Sequence, residues 1–191
     1  MSPSRQSHAH EGLSQVSGLE IDILREAGDW AADTEEWVRR AAEHAYVVAG
    51  PSEEAELCVV LADDPFVQTL NKTYRGKDKP TNVLSFPTGA MPVAAGPEPM
   101  HSPLLGDIVL AIETIAREAD EQGKSFPDHL SHLVVHGVLH LLGHDHEVDA
   151  EAEEMEALER DILEDLDIAD PYALPEGADE PARRLPRGPD V

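Results

Sequence analysis

An α+β fold, a mixed α/β layer of about four strands packed with about five helices, is predicted for this chain by three observations. Its 191 residues suit one core of roughly 150 residues flanked by tails. Four apolar stretches, LEIDIL, AELCVVLA, TNVLSFPT and LGDIVLAI, have the length and the alternation or β-branched content of strands. Segments with helical periodicity and cap signals separate and follow them.

In chain order, LEIDIL (19–24) alternates like a half-buried strand, and DTEEWVRRAAEHAYVVAG reads as a helix with Asp33 or Thr34 as N-cap and Gly50 as terminator. AELCVVLA (55–62) reads as a buried strand. DDPFVQTLNKTYRG opens with a capping Asp and a Pro in its first turn, which suits a helix ending near Gly76. TNVLSFPT (81–88) and LGDIVLAI (105–112) are strands joined by GAMPVAAGPEPMHSP, too rich in Pro and Gly to be regular. ETIAREADEQG is a short amphipathic helix. FPDHLSHLVVHGVLHLLG, with Pro127 near its start, apolar residues nearly all round and Gly143 at its end, reads as a central buried helix. AEEMEALERDILEDL closes the domain as an acidic amphipathic helix. Residues 1–17 read as a flexible extension, 18–169 as the domain, and 170–191, dense in Pro, Gly and charge, as an acidic tail. Strand order is beyond reach of these patterns.

No apolar run approaches the roughly 20 residues of a membrane span, and the N-terminus lacks the apolar middle of a signal peptide, so a cytoplasmic protein without a membrane partner is expected. The single cysteine, Cys58, lies in the apolar run LCVVL and reads as a reduced core residue. A net charge of −25 argues at first against nucleic acid. Residues 147–191, however, hold sixteen acidic and four basic side chains and account for −12 of it. Against this stands KTYRGKDK (72–79), with four basic side chains and one acidic, the only sharp basic cluster of the chain.

The strongest motif is HGVLHLLGHDH (136–146), with four of the ten histidines. His136 and His140 project from one helix face a turn apart, close enough to grip one ion. Gly143 can take the left-handed conformation that ends the helix, letting His146 approach the same ion. Three imidazoles with a position left for water suit catalytic zinc better than structural zinc. Burying several histidines without partners would cost roughly 1–3 kcal/mol each, which a shared metal removes. A surface or pH-sensitive histidine cluster is the competing reading. His132 continues the stripe and is expected to pack or support; His144, on the turn, points either way. Asp145 either orients a ligand imidazole or caps the turn. The spacing matches the extended zincin peptidase pattern H-E-x-x-H-x-x-G-x-x-H except that Gly137 replaces the glutamate general base, which points away from proteolysis.

HGVLHLLGHDH, the upstream LNKTYRGKDKPTNVLSFP and the LLGDIVLA strand together resemble the YbeY family of bacterial endoribonucleases and rRNA maturation factors, over roughly residues 19–168. The resemblance implies a mixed α/β fold, one zinc ion held by His136, His140 and His146, and single-strand-specific RNA cleavage in 16S rRNA 3′-end maturation and ribosome quality control. It places the family's functional arginine on Arg75 and, with it, makes Arg75 and His136 the expected catalytic pair. Lys72, Lys77 and Lys79 then add positive potential beside the Arg75 fork, and the strand from Thr81 could bring this cluster to the rim of the metal site. Water on a three-imidazole zinc ionises near pH 7, about 7 being its usual pKa, so hydroxide attack and ribose 2′-OH attack are both open without a glutamate. Expected partners are single-stranded rRNA, the small ribosomal subunit, and a ribosomal protein or ribosome-assembly GTPase that would bring an acidic chain to RNA. A non-catalytic zinc-containing assembly factor and a metal-dependent peptidase are the alternatives. The two tails lie outside the resemblance.

Overall fold

A computed structural model of the chain describes residues 18–88, 103–144 and 149–173. They form β1 (Leu19–Arg25), α1 (Thr34–Ala49), β2 (Ala55–Ala62), α2 (Asp64–Arg75), β3 (Val83–Pro87), β4 (Leu104–Ala111), α3 (Ile112–Glu121), α4 (Phe126–Leu141) and α5 (Asp149–Asp165). The fold is α+β, as the sequence predicts. Four strands make one mixed sheet in the order β1-β2-β4-β3, with β1, β2 and β4 parallel and β3 antiparallel on the β4 edge.

The two central strands are apolar on both sides because both faces are covered. Alternation sends Leu57, Val59, Leu61, Ile108 and Leu110 into the larger core, shared with α1, α4 and α5. Cys58, Val60, Ala62, Leu84, Phe86 and Val109 face the other way, against Val67, Phe66 and Leu70 of α2. Each fully buried Leu or Ile contributes roughly 1.5–3 kcal/mol over leaving it in water. Cys58 is buried as expected, and its thiol is pushed up to about 12 by burial and by the neighbouring Asp107 carboxylate. It is an inert core group.

Local signals account for the helix ends. The Asp63 carboxylate accepts from the Phe66 N–H at 3.0 Å, with Pro65 in the first turn of α2. Asp33 precedes α1 as anticipated but makes no side-chain cap. Ser125 Oγ accepts from the Asp128 N–H at 3.2 Å and opens α4. The helix stops where Gly143 takes φ +94°, a conformation open to glycine, and the Gly143 and His144 N–H groups close on His140 and Leu139 carbonyls at 3.0 Å each.

Gly137 lies on the buried side of α4, where the helix meets the sheet. A Cβ there would stand 2.9 Å from Ile108 Cδ1 and 3.2 Å from Ser85 Oγ. The residue that breaks the zincin pattern therefore faces packed β3 and β4, and a glutamate in its place has no room. Gly137→Glu is expected to lower stability by about 3 kcal/mol or more through overpacking and a buried charge, without creating peptidase activity. Thermal unfolding and a casein turnover assay check both halves.

Among the described residues no helix is long and apolar enough to cross a membrane. Beyond α5 the chain stays attached to the domain: Lys124 Nζ donates to the Pro171 carbonyl at 3.2 Å, and the Tyr172 hydroxyl donates to Glu159. The described structure thus runs past the boundary expected at residue 169.

Candidate functional site

The histidine face of α4 brings His136 and His140 together, their Nε2 atoms 3.0 Å apart and their rings at 83°. On the other side of the His136 ring, Nδ1 stands 2.6 Å from Glu159 Oε1. An ionised carboxylate only accepts, so Nδ1 carries the proton and the Nε2 lone pair is aimed at His140. Two imidazole nitrogens so placed share one proton, His140 Nε2–H donating to His136 Nε2, or close on a cation between them. In a tetrahedral zinc site with Zn–N near 2.0–2.1 Å, two such nitrogens lie about 3.3 Å apart, close to the spacing found. The donor set fits zinc chemically.

Glu159 is the hub of the site. It reaches from α5 to α4 with only 1% of its side chain exposed. Its Oε1 accepts from His136, while Oε2 accepts from His132 Nε2 at 3.2 Å and from the Tyr172 hydroxyl. Burial alone would raise its pKa, but the hydrogen bonds from His132, His136 and Tyr172 outweigh it and hold the carboxyl at about 2. Burial and the adjacent carboxylate push the Tyr172 hydroxyl up, so it stays a neutral donor. Beside His136, Glu159 and Tyr172 with Ala152, Met155 and Glu156 line a small cavity of about 100 Å³.

The basic cluster lies on the opposite face of the sheet. Arg75 is the last residue of α2, exposed, and its guanidinium makes no hydrogen bond or ion pair among the described residues. Its neighbour Tyr74 is 41% exposed and meets Phe86 edge-on at 5.2 Å. Phe86 and Ser85 are successive residues of β3 and point to opposite faces: Phe86 toward α2, Ser85 toward α4, where its Oγ donates to the Gly137 carbonyl at 3.5 Å. Tyr74, the residue before Arg75, and Gly137, the residue after His136, therefore pack on opposite sides of one edge strand.

The loop after α2 is folded back by buried Asn71, whose Nδ2 donates to the Lys79 carbonyl at 2.7 Å, and by Asp78, which accepts from Gln68 at 3.0 Å and Lys72 at 2.7 Å. The Lys72 hydrogen bond, then that of Gln68, lowers the Asp78 pKa. Lys72 is therefore paired within the cluster by an exposed ion pair. Lys77 and Lys79 side chains make no such pair among the described residues.

Of the residues expected to ligate or support a metal, His136 and His140 converge and His132 is adjacent through Glu159. His146 and Asp145 lie outside the described residues, and among those described no third ligand completes the pair. The described bond of His144 is its backbone N–H to Leu139. The orienting carboxylate sought in Asp145 is present for His136 as Glu159. A signal for it existed: Glu159 falls on the stripe Met155, Ile162, Leu166, a lone carboxylate among the buried apolar positions of α5. Tyr172 is the only aromatic residue after Phe126.

Comparison with known proteins gives a match to the family model described as Endoribonuclease YbeY over residues 21–167. The chain is 67% identical over 173 residues to a protein of Parvibaculum lavamentivorans named Endoribonuclease YbeY, covering 89% of this chain and 91% of that one. It is 51% identical over 168 residues to the like-named protein of Chelativorans sp., covering 85% and 99%. The solution structure of TM1509 from Thermotoga maritima aligns with 25% identity and a TM-score of 0.49, covering 81% of this chain and 99% of that one.

Proposed function

The chain belongs to the endoribonuclease YbeY family, and from that premise we propose that it is a zinc-dependent endoribonuclease that cuts single-stranded RNA in 16S rRNA 3′-end maturation and ribosome quality control. The observation that carries the zinc reading is the converging Nε2 pair of His136 and His140, with the outer nitrogen of His136 held by a buried carboxylate. His136 and His140 would hold the ion, with His146 as third ligand on the family resemblance. Zinc bound there supplies a Lewis acid and a water whose pKa falls to about 7.

The protein's own residues do the rest. Arg75 presents a planar fork to the non-bridging phosphate oxygens, with Lys77 and Lys79 adding positive potential. An RNA strand lying across the β3 edge touches the histidine face on one side and Arg75 on the other. The exposed Tyr74 ring beside Arg75 offers a base a stacking surface, which an unpaired strand can use and a duplex cannot. Acidic side chains dominate the C-terminal third of the chain, so recruitment by a ribosomal protein or ribosome-assembly GTPase on the small subunit supplies the encounter that net charge opposes.

Zinc-loaded protein is expected to cut a labelled single-stranded RNA and spare a duplex of the same sequence. Binding without cutting would favour the non-catalytic assembly factor. End-group analysis separates the two routes, since a 2′,3′-cyclic phosphate requires attack by the ribose 2′-OH and direct attack by water leaves none.

A further inference from the structure

We propose that Tyr172 and His132 are positioning residues of the metal centre: by holding Glu159 Oε2 they aim Oε1 at His136 and keep the His136 Nε2 lone pair turned toward the ion. The segment after α5 is thereby part of the site. The inference rests on the zinc reading above and extends it to residues remote from the histidine motif.

The geometry begins with the carboxylate. Glu159 uses Oε1 for His136 and Oε2 for two donors, His132 Nε2 and the Tyr172 hydroxyl. A carboxylate gripped at one oxygen by two groups cannot turn about its last bond, so the other oxygen is fixed in direction. A fixed acceptor on Nδ1 sets the tautomer and makes Nε2 a stronger donor to a metal. Tyr172 is itself held from several sides. Its ring meets His132 edge-on at 5.8 Å, the Arg160 guanidinium lies 5.4 Å from the ring centre, and its N–H donates to Asp170 Oδ1 at 2.8 Å. Lys124 secures the preceding Pro171 carbonyl. These contacts tie α3–α4, α5 and the C-terminal segment to one imidazole.

The test uses the full chain, zinc alone as ligand, and two variants. Glu159→Gln keeps the shape but leaves one acceptor oxygen for three donors; with that oxygen toward His132 and Tyr172, the amide N–H₂ faces His136 Nδ1 and reverses its tautomer. Tyr172→Phe removes one hydroxyl from a residue that is 39% exposed and should fold normally. Zinc affinity is measured by competition with a chromophoric chelator, and the ring nitrogens of His136 are read by ¹⁵N NMR in metal-free protein. Glu159→Gln is expected to weaken zinc binding about 10–100-fold, and Tyr172→Phe about 3–10-fold, each with loss of a pure Nδ1–H signature at His136. A merely structural role would lower the unfolding temperature and leave that signature and the affinity unchanged, which overturns the proposal. If wild-type protein takes up no zinc, the zinc reading fails; a His136 signature that still shifts in Tyr172→Phe would then uphold the positioning of the imidazole by itself.

Discussion

Replacing His140 by alanine is expected to empty the proposed zinc site and reduce RNA cleavage by at least about 100-fold. His140 Nε2 is the atom that His136 Nε2 faces at 3.0 Å, so the substitution removes one wall of the site and leaves the other standing. Loss of an outer partner of a zinc-bound histidine costs about 10–100-fold in affinity, and loss of the ligand itself must cost more. Activity should fall with the metal, because without the ion no group on the described α4 face takes over: the position where a zincin carries its base is Gly137, packed against Ile108 and Ser85. The fold should survive, since His140 sits half-buried near the end of α4 while the helix is anchored by Leu133, Val134, Val135, Val138 and Leu139. Zinc per chain by mass spectrometry of metals, circular dichroism and RNA cleavage on one preparation read the three quantities. Full metal content with full activity would remove His140 from the site.

How much of this could be read from the sequence follows from the range of the interactions concerned. The Asp63 cap, the Pro in the first turn of α2 and the Gly143 stop act over three or four residues, and the elements they bound are found where the patterns put them. The continuous apolar runs of β2 and β4 likewise announce strands covered on both faces. The order β1-β2-β4-β3, with the third strand reversed at the edge, depends on pairing between distant segments and carries no local mark. The same holds within the site. His136 and His140 share one helix and one turn, so their meeting was legible from a spacing of four. Glu159 reaches His136 from another helix 23 residues on, and Tyr172 reaches Glu159 from a stretch whose composition resembles a free tail. What composition concealed was a single aromatic residue docked on a buried carboxylate.

Arg75→Ala should lower cleavage about 100-fold while leaving zinc content and stability unchanged, a separation that the placement of Arg75 dictates. Its guanidinium makes no hydrogen bond or ion pair among the described residues and lies at the exposed end of α2, so its loss should alter stability by no more than about 0.5 kcal/mol. The sheet stands between it and α4, with Phe86 on its side and Ser85 on the histidine side, so neither His136 nor His140 leans on it. With no partner among the described residues, Arg75 meets substrate in the proposed reading. A donor fork aimed at charge building on phosphate oxygens is worth about 3 kcal/mol, which is the roughly 100-fold expected in kcat/KM. Arg75→Lys separates two roles for the same charge. If the planar fork grips two oxygens in the transition state, lysine restores KM more than kcat; if Arg75 only attracts the RNA backbone, lysine restores both, and added salt weakens wild type and Arg75→Lys alike. Loss of zinc in Arg75→Ala would show that α2 and the histidine face are coupled through β3, and would make Arg75 a structural residue instead.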